Sequence, residues 1–97
     1  MIVEIADFRV DPKDHEAFGQ ALSRGVQTVL SKAQGYRAHS ILAGIESPGR
    51  YLLTVHWQTL EDHTQGFRQS PAFAEWRAII GPFFAQPPQV EHFTLLS

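Results

Sequence analysis

The sequence contains no cysteine, and this absence excludes several classes of protein at once. Disulfide bonds, zinc–thiolate sites and iron–sulfur clusters all need cysteine sulfur, as does a cysteine nucleophile. Stability must therefore come from packing. The 97 residues suffice for one small domain, which we place at 1–97. A chain of this size buries only about two thirds of its unfolded surface, so dimerisation would add useful burial.

Basic clusters and long apolar runs are also missing. The eight lysines and arginines are scattered along a chain of formal charge -2, unlike the positive surface of a nucleic-acid-binding protein. No stretch approaches the roughly 20 apolar residues of a membrane-spanning helix. The first residues, MIVEIADFRV, lack the basic and apolar regions of a secretion signal. We therefore expect a cytoplasmic protein that has neither nucleic-acid nor membrane partners.

Fingerprints of common cofactors are absent as well. The seven glycines are isolated, so no Gly-rich phosphate loop is present. Neither HExxH nor a GxSxG elbow occurs. The sequence therefore predicts no metal site and no bound cofactor, and any oxidation would have to proceed without one.

The first third of the chain has the pattern of a strand followed by a long amphipathic helix. Ile2–Val10 is rich in β-branched and aromatic residues and predicts a strand. Asp11 suits a helix N-cap and Pro12 the first helical position. Apolar residues then recur at three- and four-residue steps as far as Ala33. Gly35 is expected to end this helix as its left-handed cap.

The rest of the chain predicts a hairpin, two short helices and a final strand. Strands at Tyr36–Ile45 and Tyr51–Trp57 are joined by a turn-rich loop. Thr59 suits the N-cap of a short helix, and Ser70-Pro71 starts a second helix in a new direction. Val90–Leu96 alternates as a strand.

The element order β-α-β-β-(α-α)-β is typical of the ferredoxin-like fold. This is an α+β class with a four-stranded antiparallel sheet and helices on one face. The strands nevertheless carry apolar residues on both faces, Val55 and Trp57 on one parity and Leu52 on the other. A sheet with one face in water should alternate more cleanly, so we expect a homodimer that covers the free face.

Motifs in the second half of the chain resemble the antibiotic biosynthesis monooxygenase domain. They are LTVHW at Leu53–Trp57, TLED at Thr59–Asp62 and SPAF at Ser70–Phe73, followed by Trp76. The resemblance covers nearly the whole chain. It implies a dimeric α/β barrel in which each subunit holds a cavity between sheet and helices. Characterised members of the family include cofactor-independent oxygenases of phenolic or quinol substrates, and haem-degrading enzymes.

Two positions depart from the family's patterns. Many members have a histidine three residues before the capping serine, where this chain has Phe67. The haem-degrading branch has an iron-ligating histidine seven residues after that serine, where this chain has Arg77. Arginine does not ligate iron at neutral pH, so haem degradation is not expected.

Histidines are the main polar signal, and histidine is the natural general base near neutrality. They are His15, His39, His56, His63 and His92. If the hairpin closes with Ile45 opposite Arg50, His39 lies opposite His56 on one sheet face. The pair could then share a proton or bind a metal, or it could be structural at the dimer contact.

The other histidines give weaker signals. His63 and His15 are expected at the surface, whereas His92 could face either the pocket or the partner. Arg9 and Arg37 are expected to form structural salt bridges with strand carboxylates. The candidates for these carboxylates are Glu4, Asp7 and Glu91.

Large rings are concentrated in the last half of the chain and predict an aromatic cavity for a flat ligand. They are Trp57, Phe67, Phe73, Trp76, Phe83 and Phe84. Singly, each ring is ordinary core. Gly25, on the apolar face of the long helix, indicates close approach of another backbone or of a ligand.

Two functions remain open. In the first, a cofactor-free monooxygenase uses His56 or His39 as base and Trp57 to hydrogen-bond a substrate oxygen. The rings of Phe67, Phe73, Trp76 and Phe83 would hold a small aromatic substrate. In the second, a non-catalytic dimeric module binds a hydrophobic ligand or only assembles.

Overall fold

The computed structural model describes residues 1–97 as a four-stranded antiparallel sheet with helices packed on one face. The strands are β1 (Ile2–Arg9), β2 (Tyr36–Ala43), β3 (Arg50–Trp57) and β4 (Gln89–Thr94), in the order β2-β3-β1-β4. The helical elements are α1 (His15–Thr28), a π-helical segment (Asp62–Phe67) and α2 (Pro71–Ile80). The predicted ferredoxin-like α+β fold is confirmed. None of the helices combines the length and hydropathy needed to span a bilayer.

The central strands β1 and β3 alternate between residues that face the helices and residues that face away from them. Every second residue of each strand faces the helices and is buried: Glu4, Ala6 and Phe8 in β1, and Tyr51, Leu53, Val55 and Trp57 in β3. The apolar stripe of α1 packs on this layer through Phe18, Leu22 and Val26. Among the inward residues of the two strands, Glu4 is the only charged one.

The long helix is shorter than predicted at both ends. Asp11 accepts a hydrogen bond from the Lys13 N–H at 3.0 Å, as a cap should, but it caps a 3₁₀ turn that precedes α1. At the other end the Thr28 hydroxyl donates to the Arg24 carbonyl at 2.8 Å, which competes with continuation of the helix. Gly35 has the predicted left-handed φ of 87°, but it lies in the turn before β2 and does not cap α1.

The β2–β3 hairpin closes one residue away from the predicted register. The N–H of Gly44, not that of Ile45, pairs with the carbonyl of Arg50 at 2.8 Å. As a result His39 pairs with Val55, and the two histidines lie on opposite faces of the sheet. The predicted pair of His39 and His56 is therefore wrong.

The chain breaks into two helical pieces at Ser70-Pro71, as predicted. In the π-helical segment the Arg68 N–H donates to the His63 carbonyl at 3.0 Å, a five-residue step. Ser70 occupies the N-cap position, yet its hydroxyl donates to the Phe67 carbonyl at 2.7 Å and does not accept from α2. The serine thus closes the preceding segment, and the proline begins the next.

Gly35→Ala is expected to lower the free energy of unfolding by about 1–3 kcal/mol, because a side chain strains the positive φ. The added Cβ would also collide with the Asp62 side chain. Urea denaturation measures the loss. Gly66→Ala is the matched control, since its Cβ would lie 3.7 Å from the nearest atom and its φ is not positive. Equal destabilisation by the two variants would contradict this account of the turn.

Candidate functional site

A narrow cavity of about 80 Å³ lies between the sheet and α2. Its apolar lining comes from β1, α2 and the chain around β4: Ala6, Phe8, Phe73, Trp76, Ile80, Phe84, Pro88 and Val90. Its polar lining is Glu4, His63, Arg68 and Arg77. The cavity is therefore an apolar chamber that has one carboxyl group, one imidazole and two guanidinium groups in its wall.

Glu4 is the polar centre of this chamber. It is 6% exposed because its position in β1 points under the helices. The indole Nε1–H of the fully buried Trp57 donates to Glu4 Oε1 at 2.9 Å. The predicted need of this indole for a partner is thus met by the protein's own carboxylate, not by a ligand oxygen.

Two histidines extend the polar centre outward from Glu4. His63 Nε2 lies 3.3 Å from Glu4 Oε1, and His63 Nδ1 lies 2.7 Å from His92 Nε2. The His63 ring stacks on Trp57 at a centroid distance of 5.2 Å. His92 pairs with Glu4 in the β1–β4 register and so faces the helices, which decides between the two orientations left open for it. We call Glu4, His63 and His92 the relay.

The predicted surface position of His63 is wrong, since the side chain is only 4% exposed. The π-helical segment turns both His63 and Phe67 toward the core. His15 is also not a free surface residue. It is half-buried, and its Nδ1 accepts a hydrogen bond from the Gly49 N–H at 2.8 Å.

Burial sets the protonation of the relay. Desolvation raises the pKa of Glu4, although its hydrogen bond from Trp57 and the charge of Arg68 oppose the rise. Burial, and then the charges of Arg68 and His92, lower the pKa of His63 from 6.5 to about 4. Burial and the Arg68 charge also lower the pKa of His92. Both imidazoles are therefore neutral at neutral pH, and each carries a single N–H.

The relay has two proton arrangements that differ by one proton. With Glu4 ionised, His63 holds its proton on Nε2 facing the carboxylate, and His92 donates from Nε2 to His63 Nδ1. If His92 takes up a proton on Nδ1, a shift along the chain leaves Glu4 protonated. The arrangement can thus carry a proton between a buried carboxyl group and the half-buried outer histidine.

The predicted aromatic residues divide into three groups. Phe73 and Trp76 line the cavity. Phe67 is buried behind them, with its ring centroid 5.7 Å from that of Phe73 and 6.4 Å from that of Trp76. Phe83 packs against Phe18 at 5.6 Å and does not line the cavity, whereas Phe84 does.

Neither histidine predicted as the base reaches the cavity. His56 is half-buried on the sheet face away from the helices. His39 is exposed on the edge strand, where its Nδ1 lies 2.7 Å from the hydroxyl oxygen of Tyr36. No group of three or more acidic, histidine or cysteine side chains is placed to hold a metal ion.

Of the predicted strand salt bridges, only the one between Arg9 and Asp7 forms. Arg9 and Arg50 both contact Asp7, at 3.3 and 2.9 Å. Arg37 donates instead to Gln58. Glu4 is missing from this network because it shares the inward parity of Ala6 and Phe8. A charged residue at an inward position is the sequence signal that would have identified it.

Comparison with known proteins places this architecture in a family. The sequence profile of the antibiotic biosynthesis monooxygenase family matches residues 1–79 of this chain. The chain belongs to this family. The uncharacterized protein YczJ of Bacillus subtilis is 39% identical over 93 residues, covering 96% of this chain and 97% of the relative. The resemblance seen in the sequence motifs is thereby confirmed.

Solved structures of the family share the fold. A candidate antibiotic biosynthesis monooxygenase from Bordetella bronchiseptica is 36% identical to this chain. The alignment covers 99% of this chain and 97% of the Bordetella chain, and the two structures superpose with a TM-score of 0.91. A Streptomyces coelicolor monooxygenase in complex with nanaomycin D is 20% identical to this chain. The alignment covers 99% of this chain and 88% of the Streptomyces chain, with a TM-score of 0.83. The second likeness concerns the fold alone.

The free energy of unfolding is expected to fall as the pH drops from 6.5 to 4. In this window His63 takes up a proton in the unfolded chain but not in the folded chain. The free energy of unfolding therefore falls by at most about 3 kcal/mol from its value above pH 6.5. His92, whose pKa is also lowered, acts in the same sense as His63. Glu4 acts in the opposite sense, because its raised pKa makes its contribution decline as the pH rises. Urea titrations across this window measure the sum.

His63→Phe keeps a ring against Trp57 but removes the titrating group. The free energy of unfolding of this variant should therefore lose most of its pH dependence. His39→Phe, on the exposed edge strand, is the control and should retain it because His63 is intact. An unchanged pH dependence in His63→Phe would show that His63 is not held neutral by burial.

Proposed function

We propose that this family member is a cofactor-independent monooxygenase that oxidises a phenolic, quinol or polyketide-like aromatic substrate with O₂. The observation that carries the proposal is the position of Glu4. Its carboxyl group opens onto a chamber with aromatic walls and connects through His63 to an outer histidine. The family match supports the same chemistry, and nanaomycin D in a structure of the same fold supports an aromatic ligand.

A base in a dry cavity is what such chemistry requires of a protein. O₂ reacts slowly with closed-shell molecules because its ground state is a triplet, but a phenolate can transfer one electron to it. The phenoxyl radical and superoxide then combine at a ring carbon, and the resulting peroxide anion takes the proton held by the base to form a hydroperoxide. Loss of the proton at that carbon and cleavage of the O–O bond yield a quinone and water. The sum, phenol plus O₂ to quinone plus water, needs no external reductant.

The residue roles differ from those predicted from the sequence. Glu4 takes the place of His56 and His39 as the base, and its raised pKa makes the carboxylate a stronger proton acceptor. Trp57 orients Glu4 by donating its indole N–H. Phe73 and Trp76 provide the walls against which a ring stacks.

A homodimer is part of the proposal because the sheet face away from the helices is unusually apolar. Val3, Ile5 and Leu52 lie half-buried on it, while Leu42 and Phe93 are 50% and 46% exposed. In the registers, Phe93 pairs with Val3 and Leu42 with Leu52, which places these side chains side by side. A second copy is the simplest cover for such a face.

A non-catalytic dimeric module that binds a hydrophobic ligand or only assembles is the second candidate, and the small size of the cavity favours assembly alone. Drug-sized ligands occupy pockets of about 300–1,000 Å³. The chamber of about 80 Å³ is much smaller. Under this alternative Phe73 and Trp76 fill the space themselves, and the relay only satisfies a buried carboxyl group.

Oxygen consumption by metal-free protein with a panel of quinols, naphthols and anthrones distinguishes the two functions. We expect turnover that falls by about 10²–10⁴-fold in Glu4→Gln, because an amide cannot accept the substrate proton. Glu46→Gln, an exposed change of the same kind in the loop between β2 and β3, should leave the rate unchanged. No consumption above the uncatalysed rate for any compound would contradict the monooxygenase and favour the non-catalytic module.

Phe93→Glu is expected to shift the protein from dimer to monomer by introducing a charge into the proposed contact. Sedimentation velocity measures the mass of each species. Gln27→Glu, exposed on the opposite side on α1, should remain dimeric. A wild-type protein that sediments as a monomer at micromolar concentration would contradict the dimer.

A further inference from the structure

Two arginines in the cavity wall have no ion-pair partner. Arg68 and Arg77 line the same chamber, yet the ion pairs of the chain involve only Arg9, Arg50 and His63 as cations. Neither guanidinium forms a side-chain hydrogen bond within the protein. Unpaired arginines at the wall of an apolar cavity leave planar sets of donors free for a ligand.

Aromatic faces, not a carboxylate, hold Arg77 in place. Its guanidinium carbon lies 5.9 Å from the ring centroid of Phe73 and 5.9 Å from that of Phe84. Both rings line the cavity. Contact with ring faces stabilises the cation but leaves its N–H groups unpaired. Arg77 is therefore positioned over the rings that a substrate would touch, with its hydrogen-bonding capacity unused.

Arg68 lies at the relay end of the chamber. It follows directly after the π-helical segment, and its charge is felt by Glu4, His63 and His92. It does not neutralise Glu4 by direct contact, since the carboxylate is contacted by Trp57 and His63. Arg68 and Arg77 thus reach the chamber from two different elements.

The charge balance of the chamber is positive. Glu4 is its only carboxyl group, and burial favours the neutral form of that group. The two guanidinium groups remain charged at any physiological pH. Both arginines are exposed, so water solvates them when no ligand is bound. A ligand carboxylate in the chamber would gain charge-assisted hydrogen bonds from them that a neutral ligand would not.

We propose that the substrate is an aromatic acid, whose carboxylate is bound by Arg68 and Arg77 while its ring lies against Phe73 and Trp76. The inference rests on the proposed function in taking this cavity as the substrate site. It goes further by assigning the substrate class and the residues that select it.

Isothermal titration with 4-hydroxybenzoate and 4-hydroxybenzamide tests this selection, because the two compounds share size and ring but differ in charge. We expect the carboxylate to bind at least about tenfold more tightly at low salt. Added salt should weaken binding of the carboxylate and leave the amide nearly unchanged. Equal affinities, or no binding of either compound at millimolar concentration, would overturn the proposal.

Substitutions test which residues make the protein prefer the carboxylate over the amide. Arg77→Gln and Arg68→Gln should each reduce affinity for the carboxylate by roughly tenfold without changing affinity for the amide. Arg77→Lys should recover only part of the loss, since lysine lacks the bidentate fork. Arg24→Gln makes the same charge change on an exposed part of α1 and should bind as wild type. A loss of equal size in Arg24→Gln would overturn the assignment.

Oxygen consumption separates this inference from the function on which it rests. Selective carboxylate binding without oxygen consumption by any aromatic acid would contradict the monooxygenase but leave the anion site standing. Oxidation of neutral quinols as fast as their carboxylated analogues would support the monooxygenase and overturn the anion site.

Discussion

Burial of one carboxyl group is the constraint on which the rest of this site depends. Glu4 occupies an inward position in the middle of the sheet, where an unsatisfied carboxylate would cost several kcal/mol. The Trp57 indole and the His63 imidazole surround it. Both are themselves buried, so each needs the polar partner that Glu4 supplies. Tryptophan, glutamate and histidine hold one another in a fixed geometry, and the relay follows from that geometry.

The helical break serves the same centre. The π-helical segment Asp62–Phe67 buries both His63 and Phe67. The Ser70-Pro71 break then lets α2 leave in a new direction, and its residues Phe73 and Trp76 line the cavity together with Glu4. Local irregularity in one segment thereby assembles the walls and the polar centre together.

The fold was predictable from the sequence because its signals are local. Alternation in β1 and β3, the apolar stripe of α1 and the proline at position 71 each report on a few neighbouring residues. The part of the site that was predicted from the sequence is the aromatic pair Phe73 and Trp76. The polar part of the site depends on the β1–β4 register, which places His92 beside Glu4, and on the π-helical segment, which buries His63, and neither was predicted from the sequence. Five histidines drew attention to His39 and His56, whereas the parity of Glu4 held the decisive information.

The contact between the two long helical elements has a consequence for evolution. A Cβ added to Gly25 would lie 3.0 and 3.1 Å from two atoms of the Trp76 ring, so α1 presses directly on the back of that ring. Position 25 therefore governs how far the indole intrudes into the chamber, although α1 contributes nothing to its lining. A substitution at position 25 during evolution would therefore change the width of the chamber for a different ligand while every residue of the relay stays the same.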